Sequence, residues 1–115
     1  MRILIIASGS IAIKKINELI YALNNKKIGM DIIITKSAQS LLKSLKIKEL
    51  KNCRIFKEKD FFNKNNNMLH IELSRKSDAI IVYPASANII GKFSNGIADD
   101  FATTTLMASN KQIFI

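Results

Sequence analysis

The chain has 115 residues, 48% of them hydrophobic, and a net charge of +9 at neutral pH. This length allows one domain at most, and no apolar run reaches the ~18 residues that a membrane-spanning helix needs, so we expect no membrane partner. The single cysteine, Cys53, excludes an internal disulfide and a cysteine-based zinc cluster, and it favours a reducing, cytoplasmic location.

The predicted elements alternate between strands and helices along the chain. An isoleucine-rich run predicts a strand over residues 2–7, and apolar residues at helical spacing predict a helix over residues 11–25, capped by Ser10 and followed by a turn at Gly29. The later elements are a strand (30–35), a helix (36–45), a strand (53–56), a mobile loop (57–67), a strand (77–83), a helical turn or two (88–93), a helix (98–108) and a strand (111–115). Continuous apolar strands separated by helices indicate an α/β fold, with a parallel sheet that is covered on both faces.

Three short segments of small polar residues follow the first, second and fourth predicted strands. They are Ser8-Gly9-Ser10-Ile11, Thr35-Lys36-Ser37 and Pro84-Ala85-Ser86-Ala87-Asn88. In open α/β sheets, ligands bind at the carboxyl ends of the strands, where hydroxyls and helix N-terminal amides can hold a phosphate. Each segment alone is also compatible with a simple turn or helix cap, and the chain has neither a dinucleotide fingerprint nor a nucleoside triphosphate loop. Together the three segments predict a site for a phosphate-bearing ligand.

A few side chains could carry chemistry, and each has a plainer interpretation. His70 is the only histidine and is either a catalyst or a surface or structural residue. Asp99 and Asp100 are either a catalytic pair or the cap of the helix that follows, where the helix dipole favours negative charge. Cys53 lies in a predicted strand, where a packed thiol is expected. We predict no metal site.

The positive charge also has two interpretations. A basic protein can bind nucleic acid or another anion. Here the lysines are scattered and form no stripe interleaved with aromatic residues, and isoleucine and asparagine are abundant too, as a compositional bias of the genome would produce. We therefore expect no nucleic-acid partner.

Four segments occur together in a familiar order and spacing. They are "GSIA" after the first strand, "TKSA" after the second, "HIEL" before the fourth and "PASANIIGKFSNGIADD" after it. Together they resemble the flavin-containing cysteine decarboxylase family, and within it the phosphopantothenoylcysteine decarboxylases, over essentially the whole chain. The resemblance implies a Rossmann-like, doubly wound parallel sheet in three α/β/α layers. It also implies that residues 1–115 form one flavoprotein domain lacking the C-terminal part of the family fold, assembled as a homotrimer or dodecamer with FMN near a subunit interface.

The resemblance also assigns roles to individual residues. His70 matches the family's catalytic base, and Asn88 matches an asparagine important for oxidative decarboxylation. One departure is Ile89, which stands where the family usually has a threonine. The residues that match cofactor-binding positions are Gly9, Ser10, Ile11, Thr35, Ser37, Ser86, Ala87, Asn88 and Ile89.

The chemistry implied by the resemblance is an oxidative decarboxylation. With FMN as the oxidant, the cysteine moiety of phosphopantothenoylcysteine, or of a related peptidyl or cysteine carboxylate, would lose carbon dioxide and give an enethiol. Return of the electrons would give 4'-phosphopantetheine in coenzyme A biosynthesis. The alternatives are a non-catalytic FMN-binding module or degenerate subunit, and a related flavoprotein such as a flavin prenyltransferase. The flavin prenyltransferases share the fold and the flavin site but typically lack the histidine of "HIEL".

Overall fold

A computed structural model describes residues 1–42, 52–61 and 68–115. Within these ranges, parallel strands form one sheet in the order β3-β2-β1-β4-β5. The strands are β1 (Arg2–Ala7), β2 (Gly29–Ile34), β3 (Cys53–Lys57), β4 (Ala79–Val82) and β5 (Ile113–Phe114). The predicted α/β fold with a Rossmann-like parallel sheet is confirmed.

Helices cover both faces of this sheet. The first turn is a 3₁₀ helix (Ile11–Lys15), which runs directly into α1. The α-helices are α1 (Ile16–Asn25), α2 (Lys36–Leu41), α3 (Glu58–Phe61), α4 (Leu69–Lys76), α5 (Ala87–Ser94) and α6 (Phe101–Ala108). The 3₁₀ helix, α1 and α2 pack on one face, and α4, α5 and α6 pack on the other.

The central strands β1 and β2 are almost entirely apolar because they are buried on both faces. In β1, Ile3 and Ile5 point to the core under α1, while Leu4 and Ile6 point to the core under α4 and α6. Successive strand residues face opposite sides of a sheet, so a strand between two helical layers needs apolar residues at every position. Cys53, at the start of β3, is packed in the first of these cores, as predicted.

The strand order changes direction beside β1. The chain runs outward from β1 to β2 and β3, and then returns to place β4 on the other side of β1. The amide of Tyr83, just past β4, donates to the carbonyl of Ile6 at 3.0 Å, so the two carboxyl ends lie side by side. In doubly wound sheets, such a switch point is where ligands bind.

The sequence analysis missed two helices. α3 lies within the predicted loop 57–67, and α4 carries the "HIEL" segment. α4 is hard to detect because Met68 gives it no side-chain cap and its buried residues are only Leu69, Leu73 and Ser74. The remainder of the predicted loop, residues 62–67, and the end of the predicted helix 36–45 lie outside the described residues.

The predicted turn at Gly29 is wrong, whereas the predicted cap at Ser10 is confirmed. Lys27, with φ of 58°, makes the turn, and Gly29 begins β2. A Cβ at Gly29 would lie 2.8 Å from Nη1 of Arg2, so a glycine is needed here for space and not for a turn. The Ser10 hydroxyl accepts from the amide of Ala12 at 3.4 Å, at the start of the 3₁₀ helix.

A buried ion-pair cluster joins three strands near their amino ends. Asp31 of β2 is fully buried and accepts from Arg2 of β1 (2.6 and 2.9 Å) and from Arg54 of β3 (2.8 and 3.2 Å). Burial alone would raise the pKa of Asp31, but the hydrogen bonds from the two guanidinium groups outweigh it and lower that pKa below its ordinary value. The cluster therefore fixes β1, β2 and β3 to one another as an ionised unit.

Candidate functional site

A cleft opens at the carboxyl ends of β1, β2 and β4. Its volume is about 710 Å³, within the range of small-molecule sites. Of the residues that were predicted to bind a cofactor, Thr35, Ser37, Ser86, Asn88 and Ile89 line it. The other lining residues are Ser8, Lys36, Ser40, Glu58, Lys92, Asp99 and Asp100.

Ser8 holds the floor of this cleft together. It is fully buried, and its hydroxyl donates to the carbonyl of Pro84 while accepting from the amide of Ser86 at 2.7 Å. Its own amide donates to Pro84 at 3.1 Å. Ser8 thus ties the end of β1 to the turn that leads into α5. Its role was not predicted, and the available signal was a serine placed directly after a buried strand.

Gly9 allows the loop after β1 to lie against the start of α2. A Cβ at Gly9 would overlap the hydroxyl oxygen of Ser37 and lie 2.6 Å from its Cβ. Ser37 Oγ lies 3.3 Å from Oγ1 of Thr35, which itself caps α2 by accepting from the amide of Ala38 at 3.3 Å. The hydroxyls of Thr35 and Ser37 therefore lie together on one side of the cleft, which we call the hydroxyl wall.

The start of α5 forms the adjoining wall. Ser86 is its N-cap and accepts from the amide of Ile89 at 3.2 Å. Asn88 is exposed to the cleft, whereas Ile89 is 4% exposed and packs mainly into the core under α6. The position where the family usually has a threonine is thus occupied by a packed apolar side chain.

Four predicted cofactor residues do not line the cleft, and the first of them is Gly9, which packs against Ser37. Ser10 uses its hydroxyl as a helix cap, and Ile11 beside it is 77% exposed. Ala87 is the first residue of α5 and is exposed. The assignments of these four residues remain predictions, as do those of the residues that line the cleft.

A further part of the lining, the charged wall, contains the aspartates of the "GIADD" segment together with Lys92 and Glu58. Lys92 pairs with Asp99 at 3.0 Å and with Asp100 at 3.7 Å. The hydrogen bond to Asp99 is the main reason that the pKa of Lys92 is raised. Asp100 also caps α6, because its Oδ1 accepts from the amide of Thr103 at 2.8 Å, and Thr103 Oγ1 accepts in return from the Asp100 amide at 3.1 Å. The capping interpretation is confirmed for Asp100.

Substitution of Asp100 by alanine is expected to lower the free energy of unfolding by about 0.5–2 kcal/mol, because the amide of Thr103 in the first turn of α6 loses its side-chain partner. Urea unfolding would measure the change. Asp100→Asn is the matched control, since asparagine caps as well as aspartate and the exposed pairing with Lys92 contributes little. An equal loss in both variants would contradict the capping role.

Glu58 is a further cleft residue that the sequence analysis missed. Both of its carboxylate oxygens lie 3.2 Å from the amide of Phe101, the first residue of α6. Burial raises the pKa of Glu58, and the nearby carboxylates of Asp100 and Asp99 act in the same direction. No sequence motif marks Glu58, because its partner is 43 residues away.

His70 does not line the cleft. It lies on α4, where its ring meets the ring of Phe61 edge-on at a centroid distance of 5.7 Å and an angle of 78°. Phe61 in turn stacks on Phe101 at 5.2 Å and 12°. α3 therefore presents Glu58 to the cleft and, one turn later, Phe61 to His70. The fold therefore places His70 beside Phe61 and outside the lining of the cleft.

Two further properties of the described residues bear on function. None of the helices within 1–42, 52–61 and 68–115 is long and apolar enough to cross a membrane. Over the same part of the chain, no group of three or more histidine, cysteine, aspartate or glutamate side chains is arranged to hold a metal ion.

Comparison with known proteins gives consistent matches over nearly the whole chain. A family model described as "Flavoprotein" matches residues 1–114. The coenzyme A biosynthesis bifunctional protein CoaBC of Bacillus subtilis (strain 168) is 36% identical over 114 residues, which is 98% of this chain and 28% of that protein.

Solved structures show the same similarity. A PPC decarboxylase mutant (C175S) complexed with pantothenoylaminoethenethiol superposes with a TM-score of 0.84 at 29% identity, covering 97% of this chain and 63% of that chain. The FMN binding protein AtHal3 gives a TM-score of 0.82 at 29% identity, covering 95% and 60% respectively. The chain thus spans less than a third of CoaBC and less than two thirds of each solved chain.

Proposed function

The chain belongs to the Flavoprotein family, and on this premise we propose that it binds FMN in the cleft and takes part in decarboxylating a cysteine-derived carboxylate. The observation that carries this proposal is the convergence of hydroxyl groups from Thr35, Ser37 and Ser86 where the strand order switches. The likeness to an FMN-binding protein and a PPC decarboxylase supports it.

The donors and acceptors of the cleft fit FMN. The hydroxyl wall and the first amides of α5 offer donors to a phosphate, and Lys36 adds positive charge on the same side. The carboxylates of Glu58, Asp99 and Asp100 would repel a phosphate but can accept hydrogen bonds from ribityl hydroxyls or a ring N–H. Charge therefore favours the phosphate at the hydroxyl wall and the uncharged part of the cofactor toward the charged wall.

We assign a separate role in binding or catalysis to each of these residues. Bound FMN would supply the oxidation of the cysteine moiety that lets carbon dioxide leave. Thr35, Ser37 and Ser86 would hold the phosphate, and Asn88, exposed at the start of α5, would offer its amide to the reacting group. His70 is the proposed residue for proton exchange with the substrate.

The substrate we propose is phosphopantothenoylcysteine or a related peptidyl cysteine carboxylate. The resemblance in "HIEL" and "PASAN", together with the pantothenoylaminoethenethiol bound by a relative, supports this class. A homotrimer or dodecamer and a cytoplasmic location are proposed on the resemblance alone.

A second candidate is an FMN-binding module without turnover. Two observations favour it: His70 does not line the cleft, and Ile89 supplies no hydroxyl to it. In this case the protein would bind FMN as tightly as an enzyme but leave the cysteine carboxylate unchanged.

Titration of the purified chain with FMN, followed by visible absorbance, tests both candidates. A protein that remains colourless would refute both. Incubation of the flavin-loaded protein with phosphopantothenoylcysteine then separates them, because decarboxylation removes the mass of carbon dioxide from the substrate. An unchanged substrate would support the module without turnover.

His70→Asn is expected to keep FMN binding and to lower decarboxylation by about 10²–10⁴-fold, the contribution of a positioned proton-transfer group. Mass spectrometry of the product gives the rate. Glu72→Gln is the control, because Glu72 lies on the same helix in an exposed pair with Lys76. Unchanged turnover in the His70 variant would refute the assigned role.

A further inference from the structure

The two ring nitrogens of His70 have different surroundings. Nδ1 is buried and has no hydrogen-bond partner among the described residues. The ring as a whole is only partly buried, and Nε2 is not one of the buried unpaired atoms, so Nε2 is the nitrogen open to solvent. Only Nε2 can meet a ligand without a change in ring orientation.

This asymmetry determines where the proton of the neutral ring resides. Neutral imidazole carries one N–H donor and one acceptor lone pair. A buried N–H without an acceptor is rarely tolerated, whereas a buried lone pair without a donor is tolerated more often. The proton therefore belongs on Nε2, where solvent can accept its hydrogen bond, and the lone pair belongs on Nδ1.

Phe61 holds the ring in this orientation. Its ring contacts the imidazole edge-on at 5.7 Å and stacks on Phe101, which is fully buried. The amide of Phe101 is in turn held by Glu58, one turn before Phe61 on α3. A rotation of the imidazole would have to displace an aromatic stack that the core fixes on its other side.

We propose that Phe61 is a positioning residue for His70 and that it holds the neutral imidazole as the Nε2–H tautomer. In this form, His70 meets a ligand as a hydrogen-bond donor, and its only lone pair points into the protein. His70 would thus first bind the substrate's carboxylate or thiolate as a donor, and the proton exchange proposed above would require the ring proton to move from Nε2 to Nδ1 before Nε2 could accept a proton from the substrate. The tautomer stands on the geometry alone, whereas its role in turnover rests on the proposed function.

The tautomer can be measured in the flavin-free chain. Because His70 is the only histidine, a long-range ¹⁵N–¹H correlation spectrum at alkaline pH contains the signals of one imidazole ring. We expect a pyrrole-type shift for Nε2 and a pyridine-type shift for Nδ1. A pyrrole-type Nδ1, or averaged shifts from a ring exchanging between tautomers, would overturn the proposal.

A pair of phenylalanine variants tests the positioning role. Phe61→Leu is expected to move both ¹⁵N shifts toward averaged values, because the imidazole loses its aromatic contact. Phe93→Leu is the matched control, since Phe93 packs against the same core from α5 and is expected to leave the shifts unchanged. Unchanged shifts in Phe61→Leu, or equal changes in both variants, would refute positioning by Phe61.

The donor role is tested in the flavin-loaded protein. The amide of glutamine can place an N–H near the position of Nε2, whereas the shorter asparagine cannot. We expect His70→Gln to retain about 10-fold more decarboxylation than His70→Asn, the effect of one retained hydrogen bond. Equal loss in the two variants would overturn the donor role. A wild-type chain that binds no FMN would refute the proposed function. The tautomer of His70 would still be tested by the ¹⁵N shifts of the flavin-free chain.

Discussion

Asp31→Asn is expected to lower the free energy of unfolding by about 2–3 kcal/mol at neutral pH, the largest stability change that we expect from one polar substitution in this chain. Removing one member of a buried ion pair costs more than the pair contributes, because charges remain without their partner. Here the remaining charges belong to Arg2 and Arg54, whose side chains are 28% and 45% exposed, so solvent moderates the loss. Urea unfolding gives the value.

The loss should depend on pH in a defined direction. Because the pKa of Asp31 is lower in the folded protein than its ordinary value of about 3.9, its stabilisation is complete above that value and disappears as pH falls through the folded pKa. The difference between wild type and Asp31→Asn should therefore be constant above about pH 4 and shrink below it. A difference that stays constant into strong acid would contradict the ionised cluster.

A surface pair provides the control for this experiment. Lys76 and Glu72 lie four residues apart on α4, and both side chains are about half exposed. Lys76→Met should change stability much less than Asp31→Asn, because exposed pairs contribute little. Equal losses of unfolding free energy in Asp31→Asn and Lys76→Met would mean that burial of Asp31 does not account for its effect on stability.

The sequence predicts the order of elements better than their contacts. Apolar runs locate the central strands β1 and β2 because these are buried on both faces, and this pattern needs no knowledge of their neighbours. Asp31 is the exception, since a single carboxylate in "MDIIIT" has no local explanation. Its partners, Arg2 and Arg54, come from other strands, so only the sheet register reveals the cluster.

In the candidate site too, residues marked by a local sequence pattern could be predicted, whereas residues placed there by distant contacts could not. The hydroxyls of Thr35, Ser37 and Ser86 could be predicted because they directly follow strands whose carboxyl ends meet in a parallel sheet. Glu58 could not, because it reaches the cleft through a hydrogen bond to Phe101 across 43 positions. α3 was missed for a related reason: its four residues are too few to show a helical period.

Gly9→Ala is expected to weaken FMN binding by about 10–100-fold on the proposed assignment of the cleft, which is the effect of losing one hydrogen bond to a charged phosphate. The added Cβ would overlap the Ser37 side chain and lie 3.1 Å from its backbone carbonyl carbon, so the loop after β1 must move away from α2. Because Thr35 and Ser37 stand together on that wall, the movement separates the donors that would bind the phosphate.

The matched control for this substitution is Gly91→Ala, the same chemical change within α5. Nothing lies within 4 Å of a Cβ at Gly91, so alanine should leave FMN binding unchanged and raise the free energy of unfolding by up to about 1 kcal/mol. Titration with FMN and urea unfolding of both variants separate a local defect from a general loss of stability. An unchanged dissociation constant for FMN in Gly9→Ala would show that the loop after β1 is not part of the flavin site. The steric overlap with Ser37 would then have no effect on binding of the ligand.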